Sequence, residues 1–388
     1  MKKLYFSLFI AILFQTVFSF AGFIDGSYKY KGQTRKYSIY VPNIYYTQNK
    51  KVPLLLGLHG YGDEVANFKN ICLTGIADTA NYICVYAEGL PFFGANAWNS
   101  GAGVGIINVN STIDDVGFLN GLVDTVIKKY MIDTNRMYVF GFSFGGFMTD
   151  RLATQNSTRF AAAANVSGLH GNFLAGLVPT KGMPYLKFHG TNDATIKYDG
   201  TQTVGLFPGF GLSAEKTVKF WVTQNRCDTI PIIDTMPNLA NDGLIFVRYT
   251  YKNGRDKSDV VFYKVINGEH RWYGTPTNDI SYCQTIWKFF SQYSKSSSVI
   301  SSVRNTSITE HFSIYPNPTN GSFTVDLSSL NQQAKTIQIY AVTGNLVYIQ
   351  NIQHEQQLFI DASLSKGMYL VQLINNEGIL ATEKIIIQ

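Results

Sequence analysis

The sequence predicts an α/β fold, a mostly parallel sheet with helices on both faces, followed by a small C-terminal all-β sandwich. Three observations carry this. From Gly22 to Tyr293, short β-branched and aromatic runs alternate with helical patterns. Those runs are near-continuously apolar, as parallel strands covered on both faces are. After His311 the pattern changes to period-two strands separated by turn residues. The 388 residues suit two or three domains, and 45% hydrophobic against 15% charged residues excludes a disordered chain.

Taken in order, Met1-Lys2-Lys3 is a basic stub, Leu4 to Phe18 is almost unbroken apolar, and small Ser19 and Ala21 precede a cut ahead of Gly22. This layout predicts a signal peptide over 1–21; an N-terminal membrane anchor is the alternative, for which the run is short. No other stretch approaches a spanning length, so the mature chain is expected outside the cell without a transmembrane span. Without Lys2 and Lys3, 30 basic residues face 26 acidic ones. That balance is too weak and scattered for a nucleic-acid surface. Export permits disulfides, and Cys72, Cys84, Cys227 and Cys283 allow three pairings. Cys72–Cys84 with Cys227–Cys283 is the expectation, each pair falling in one half of the domain; four buried thiols is the alternative.

In the body, residues 22–293, strands are expected at Tyr37–Val41, Val52–Leu58, Ile83–Tyr86, Met137–Phe142, Ala161–Val166, Tyr185–Phe188, Ile245–Tyr249 and Val260–Val265. Helices are expected at Val116–Tyr130, Gly145–Gln155, Ser213–Asn225 and Asn278–Tyr293. The first carries Phe118, Leu119, Leu122, Val123, Val126 and Ile127 on one face. Asp114 and Asp115 ahead of it read as caps. Residues 294–310 are Ser-rich and read as a linker. Residues 311–388 form the sandwich, with strands at Phe323–Leu327, Thr336–Tyr340, Met368–Leu373 and Ala381–Ile387, its tyrosines inside core strands.

The sharpest local signal is Met137-Tyr-Val-Phe-Gly-Phe-Ser-Phe-Gly-Gly146, a strand running into a helix through Gly141-Phe-Ser143-Phe-Gly145. Glycines flank the serine because so tight a turn leaves no room for a β-carbon, and the turn lifts the Ser143 hydroxyl to the carboxyl edge of the sheet. A serine needs an imidazole to take its proton. If the order is serine, acid, histidine, as in one class of serine hydrolases, His270 in Gly268-Glu-His-Arg-Trp272 is the histidine left near the domain's end. Asp193 follows the strand Met183–Phe188 through His189-Gly-Thr-Asn192, on the same edge, with Asp199 as fallback. The apolar run Pro53–Leu58 ends in His59-Gly-Tyr-Gly62, a loop that lets backbone N–H groups converge. The N–H groups of Tyr61 and Phe144 are the expected oxyanion donors, with His59 and His189 in supporting roles. Trp98 and Trp272, on loops, are the expected substrate walls.

These blocks, Leu58–Gly62, Trp98-Asn99, Asp114–Phe118, Gly141–Met148, His189–Asp193 and Gly268–Trp272, are similar to the polyhydroxybutyrate depolymerase–feruloyl esterase family of secreted α/β-hydrolases. The likeness spans about residues 25–292. It implies a Ser143–Asp193–His270 triad, no metal or cofactor, and as substrates feruloyl or acetyl esters on plant polysaccharide or short hydroxyalkanoate polyesters. Tyr273 stands where that family often has a proline, and the Trp98 segment lacks its usual second aromatic. The tail, with Tyr315-Pro-Asn-Pro-Thr-Asn-Gly321, Ile339-Tyr340, Gly344, Lys366-Gly-Met-Tyr369 and Lys384, resembles the sorting domain of the Bacteroidetes type IX secretion system. That implies the type IX machinery as partner and export across the outer membrane. A non-catalytic glycan-binding or adhesion module and a serine peptidase are the alternatives.

Overall fold

The computed structural model describes residues 22–201, 203–204, 207–295, 312–330, 334–341, 346–353, 355–375 and 378–388. The expected signal peptide, most of the expected linker (296–310), His311, His354 and Gly344 lie outside the described residues. The chain divides into two compact units, Met1–Val299 and Ile300–Gln388.

The first unit is built on a ten-stranded sheet. In spatial order its strands are Gly22–Tyr30, Gln33–Val41, Ile83–Ala87, Val52–Leu58, Ile132–Phe142, Ala162–Val166, Tyr185–Gly190, Val260–Ile266, Ile245–Tyr251 and Ile232–Thr235. The six from Ile83–Ala87 to Val260–Ile266 pair in parallel, and antiparallel strands close both ends. Every residue of Val52–Leu58, Ile83–Ala87, Ala162–Val166 and Tyr185–Gly190 is buried, because helices cover both faces. This is the expected α/β-hydrolase layout.

One face packs against the helices Asp115–Lys129, Phe144–Gln155 and Ala214–Asn225, the other against Leu73–Ala80 and Tyr282–Phe290. Asp115–Lys129 buries Phe118, Leu119, Leu122, Val123 and Val126 on the expected stripe. Asp114 caps it, its side chain accepting from Gly117 N–H at 2.9 Å, and Lys128 and Lys129 lie in its last turn. The last helix is shorter than its pattern suggested, because Ser281 caps it by accepting from Gln284 N–H.

The disulfide differs from the expectation. Cys72 pairs with Cys283, 211 residues away with Cα atoms 5.9 Å apart, and Cys84 and Cys227 are buried free thiols. Pairing by halves fails because the domain's last helix packs beside Leu73–Ala80, across the length of the chain. Cys84 lies within a sheet strand instead, where burial pushes its thiol up to about 12.

The second unit has two antiparallel sheets. One holds Ser313–Tyr315, Ser322–Asp326 and Gln357–Asp361; the other holds Leu346–Asn351, Thr336–Ala341, Gly367–Asn375 and Gly378–Ile387. Alternate residues Phe323, Val325, Ile337, Ile339, Val371 and Leu373 are buried. Tyr369 is buried as expected, but Tyr315, on an edge strand, is exposed.

Candidate active site

Strand Ile132–Phe142 lies between Val52–Leu58 and Ala162–Val166, with Gly141 opposite Leu58 and Phe142 opposite Val166. Ser143 follows at φ 55° and ψ −119°, and helix Phe144–Gln155 begins at the next residue. A non-glycine residue at such angles costs on the order of 1–3 kcal/mol, which the surrounding packing must offset. That packing is tight. A β-carbon on Gly141 would meet the Gly145 carbonyl, and one on Gly145 would meet the Leu58 carbonyl. Ser143 N–H donates to Val166 O at 2.8 Å, tying the turn to the next strand.

Asp193 is buried on the loop after Tyr185–Gly190. Its Oδ1 accepts from Thr195 N–H at 3.0 Å and Ile196 N–H at 2.7 Å, and its Oδ2 lies 2.7 Å from His270 Nδ1. The two loops are joined by Asn192 N–H to Gly268 O at 2.9 Å and Asn267 N–H to Thr191 Oγ1 at 2.9 Å. Gly190 and Gly268 meet where neither could carry a side chain. The His270 ring packs 4.9 Å from that of Phe142, the residue before Ser143. Asp193, His270 and Ser143 thus gather at one edge of the sheet. The Asp193–His270 bond is made; among the described residues no hydrogen bond joins Ser143 to His270. Asp199, the fallback, is exposed and accepts from Thr201.

The loop His59–Gly62 lies against the serine, since a β-carbon on Gly60 would come within 3.3 Å of Ser143 Cβ. Gly62 N–H donates to Asn96 O at 2.8 Å. Among the described hydrogen bonds neither Tyr61 N–H nor Phe144 N–H is used. His59 supports the loop as expected: its Nε2 accepts from Gly89 N–H at 2.9 Å, so Nδ1–H donates to Gly60 O at 2.6 Å. Burial holds this imidazole below its ordinary value and therefore neutral. The Gly60 carbonyl and Tyr61 N–H share one peptide plane and point oppositely, so this bond fixes where Tyr61 N–H aims.

Trp98 is not a substrate wall. It is fully buried, donates from Nε1 to His59 O at 3.0 Å and packs against the His59 ring, tilted by 42° with centroids 5.0 Å apart. Its apparent loop position misled because the residues around it fold inward behind the His59 loop. Trp98→Ala is expected to lower unfolding stability by about 3–5 kcal/mol in a denaturant titration. Trp272 is half-buried against Phe140, Phe142 and Tyr282. An aromatic cluster that the sequence did not signal centres on buried Phe144, with Tyr61 at 5.9 Å, buried Phe147 at 5.7 Å and half-buried Phe210 at 6.2 Å. Tyr61 is half exposed and Phe93 and Ile106, on neighbouring hairpin turns, almost wholly exposed. Phe210 sits in a Gly- and Phe-rich loop whose composition was its one signal.

Also missed was a line of buried polar groups behind Asp193: Asp150, Tyr185, Lys187 and His189. Among the described residues no three or more His, Cys, Asp or Glu side chains converge as metal ligands would, and no helix is long and apolar enough to cross a membrane.

Residues 313–388 match the family model for a secretion system C-terminal sorting domain, which marks the chain for secretion, and residues 117–185 match that of the prolyl oligopeptidase family. Over 266 residues the chain is 28% identical to the bifunctional acetylxylan esterase/xylanase XynS20E of Neocallimastix patriciarum, covering 68% of this chain and 34% of that protein. Over 201 residues it is 28% identical to feruloyl esterase B of Piromyces equi, covering 50% and 36%. Over 172 residues it is 30% identical to feruloyl esterase C of Emericella nidulans, covering 44% and 59%. The chain spans about a third of the length of the first two relatives.

Proposed function

We infer that this chain is a secreted serine carboxylic-ester hydrolase that works through an acyl-enzyme on feruloyl or acetyl esters of plant polysaccharide. The observation that carries the reading is the 2.7 Å bond from His270 to a buried carboxylate at the sheet edge where the strained Ser143 turn emerges. Asp193 is an acceptor, so Nδ1 holds the ring proton and Nε2 is left as the base. Ser143 Oγ attacks the ester carbonyl carbon as its proton passes to His270 Nε2, and Tyr61 and Phe144 N–H receive the carbonyl oxygen's new charge. The tetrahedral centre then expels the alcohol, which takes the proton back from His270. Water, giving a proton to the same nitrogen, attacks the acyl carbon; the bond to Ser143 Oγ breaks, Oγ takes that proton back from His270, and the acid leaves. The proton transfer requires Ser143 and His270 to close into hydrogen-bond contact in the reacting complex.

The relatives' names favour acetyl and feruloyl groups, and Tyr61 and Phe210, packed on buried Phe144, offer aromatic surface to an aryl acid. Trp272 retains the role of a flanking surface. The domain roles follow: residues 1–21 as signal peptide, 22–293 as hydrolase, 294–310 as linker and 311–388 as sorting domain for the type IX machinery.

The prolyl oligopeptidase match favours a second reading, a serine peptidase, because it covers the segment that carries Ser143. A side-by-side assay on methyl ferulate, acetylated xylan, hydroxybutyrate oligomers and a peptide p-nitroanilide separates the two. Turnover of methyl ferulate or acetylated xylan is expected to exceed that of the anilide by about 100-fold or more in kcat/KM. Anilide cleavage matching the better ester would overturn the ester reading, and a leading hydroxybutyrate rate would move the substrate to polyesters.

A further inference from the structure

Along strand Tyr185–Gly190, Tyr185, Lys187 and His189 fall on one face by alternation, and all three are fully buried. A lysine inside such a strand is costly unless its ammonium is held. Lys187 Nζ donates to the Gly168 carbonyl and lies 3.3 Å from His189 Nδ1. The other nitrogen of that ring, Nε2, is 2.8 Å from Ile196 O and 3.6 Å from Asp193 Oδ2. Asp193 Oδ2 is also the oxygen bonded to His270. One carboxylate oxygen therefore faces two imidazoles.

The donor count decides the state of the first ring. A carbonyl only accepts, so His189 Nε2 carries hydrogen toward Ile196 O. An ammonium only donates, so His189 Nδ1 must be bare to receive Lys187. A ring that donates at one nitrogen and accepts at the other is neutral.

We propose that Lys187 is a positioning residue for the acid–base pair: its ammonium holds His189 in the neutral Nε2–H form, so that the Asp193 carboxylate serves His270 alone. A protonated His189 would turn an N–H toward the Lys187 ammonium and set a second cation beside Asp193, competing with the imidazolium that forms on His270.

The surroundings are consistent with this. Facing Lys187 is Asp150 of the helix after the serine, whose Oδ1 accepts from Tyr185 at 2.8 Å and Trp221 at 2.7 Å and whose Oδ2 lies 2.6 Å from His170 Nδ1. Facing His189 are Asp193, with His270 beyond it, and the Tyr198 ring at 5.9 Å, which bonds Glu215 and lies under Lys264. Burial, then the Lys187 charge, pushes His189 down to about 3. Burial brings Lys187 down to about 7, with Asp150 and Asp193 opposing. Its charge is therefore present on the acid side, where a histidine would otherwise gain a proton.

The inference rests on the hydrolase reading, and its test separates the two. Full-length wild type, Lys187→Met, His189→Gln and the double variant are assayed on p-nitrophenyl acetate from about pH 5 to 9, with active sites counted by fluorophosphonate labelling. Wild type and His189→Gln are expected to lose kcat/KM through one proton on the acid limb. Lys187→Met is expected to lose about tenfold more toward pH 5, with a two-proton slope and little change in KM. Adding His189→Gln is expected to restore the one-proton limb, since glutamine keeps an N–H but cannot take a proton. A Lys187→Met profile with the wild-type shape, or a double variant as steep as Lys187→Met, would overturn the proposal. Should Lys187→Met not fold, Lys187→Gln takes its place: a two-proton acid limb there supports the proposal and the wild-type one-proton limb overturns it. A wild-type chain with neither turnover nor labelling would instead refute the hydrolase reading.

Discussion

Ser143→Ala is expected to cut ester turnover by about 10⁴-fold or more, with the fold and KM little changed. The substitution removes one oxygen and keeps Cβ, so the contact with Gly60 and the bond from residue 143 N–H to Val166 O both survive. The strained backbone at φ 55° is set by the strand, the glycines and the helix, which stay as they are. What goes is the nucleophile. Residual rate would come from Tyr61 and Phe144 N–H acting on a water-attacked ester. Steady-state kinetics beside a thermal melt check this, and a folded variant with near-wild-type kcat would remove Ser143 from the reaction.

Asp193→Asn is expected to lower kcat by about 10³–10⁴-fold, more than loss of one charge would suggest. Asp193 Oδ1 is held by two backbone donors, Thr195 and Ile196 N–H, and an asparagine must put its carbonyl oxygen there. Its NH₂ group then occupies the Oδ2 position facing His270 Nδ1. An amide donor at that point makes Nδ1 the acceptor and moves the ring proton to Nε2, the nitrogen that must be bare to receive the Ser143 proton. The variant should fold and bind substrate while failing in chemistry, so kcat falls and KM holds. Loss of KM with kcat intact would show that Asp193 serves the pocket instead.

The elements that carry the candidate site residues were legible in the sequence because their signals are local. The Ser143 turn announces itself through glycines whose absence of Cβ is sterically enforced, and Asp193 and His270 each follow a strand that the apolar pattern marks. The central parallel strands were legible for the same reason: burial on both faces leaves continuous apolar runs. The first hairpin, Gly22–Tyr30 with Gln33–Val41, was half missed because an antiparallel end of the sheet keeps polar, half-exposed residues. What could not be read depended on contacts between distant segments. Cys72 meets Cys283 only because the last helix returns to the first third of the chain. Trp98 looked available until the His59 carbonyl and the packing around it enclosed it. Lys187 carries no signal in its own strand; its surroundings depend on His189 two residues on and on Asp150 from another element.

The proposed reaction turns on one hydroxyl, that of Ser143, activated by the Asp193–His270 pair. Reacting the full chain with a fluorophosphonate and locating the adduct by peptide mass spectrometry tests it most directly. One adduct per chain is expected on Ser143, absent in Ser143→Ala and formed far more slowly in Asp193→Asn. Ester hydrolysis by a chain that carries no adduct, or an adduct on another residue that abolishes activity, would contradict it.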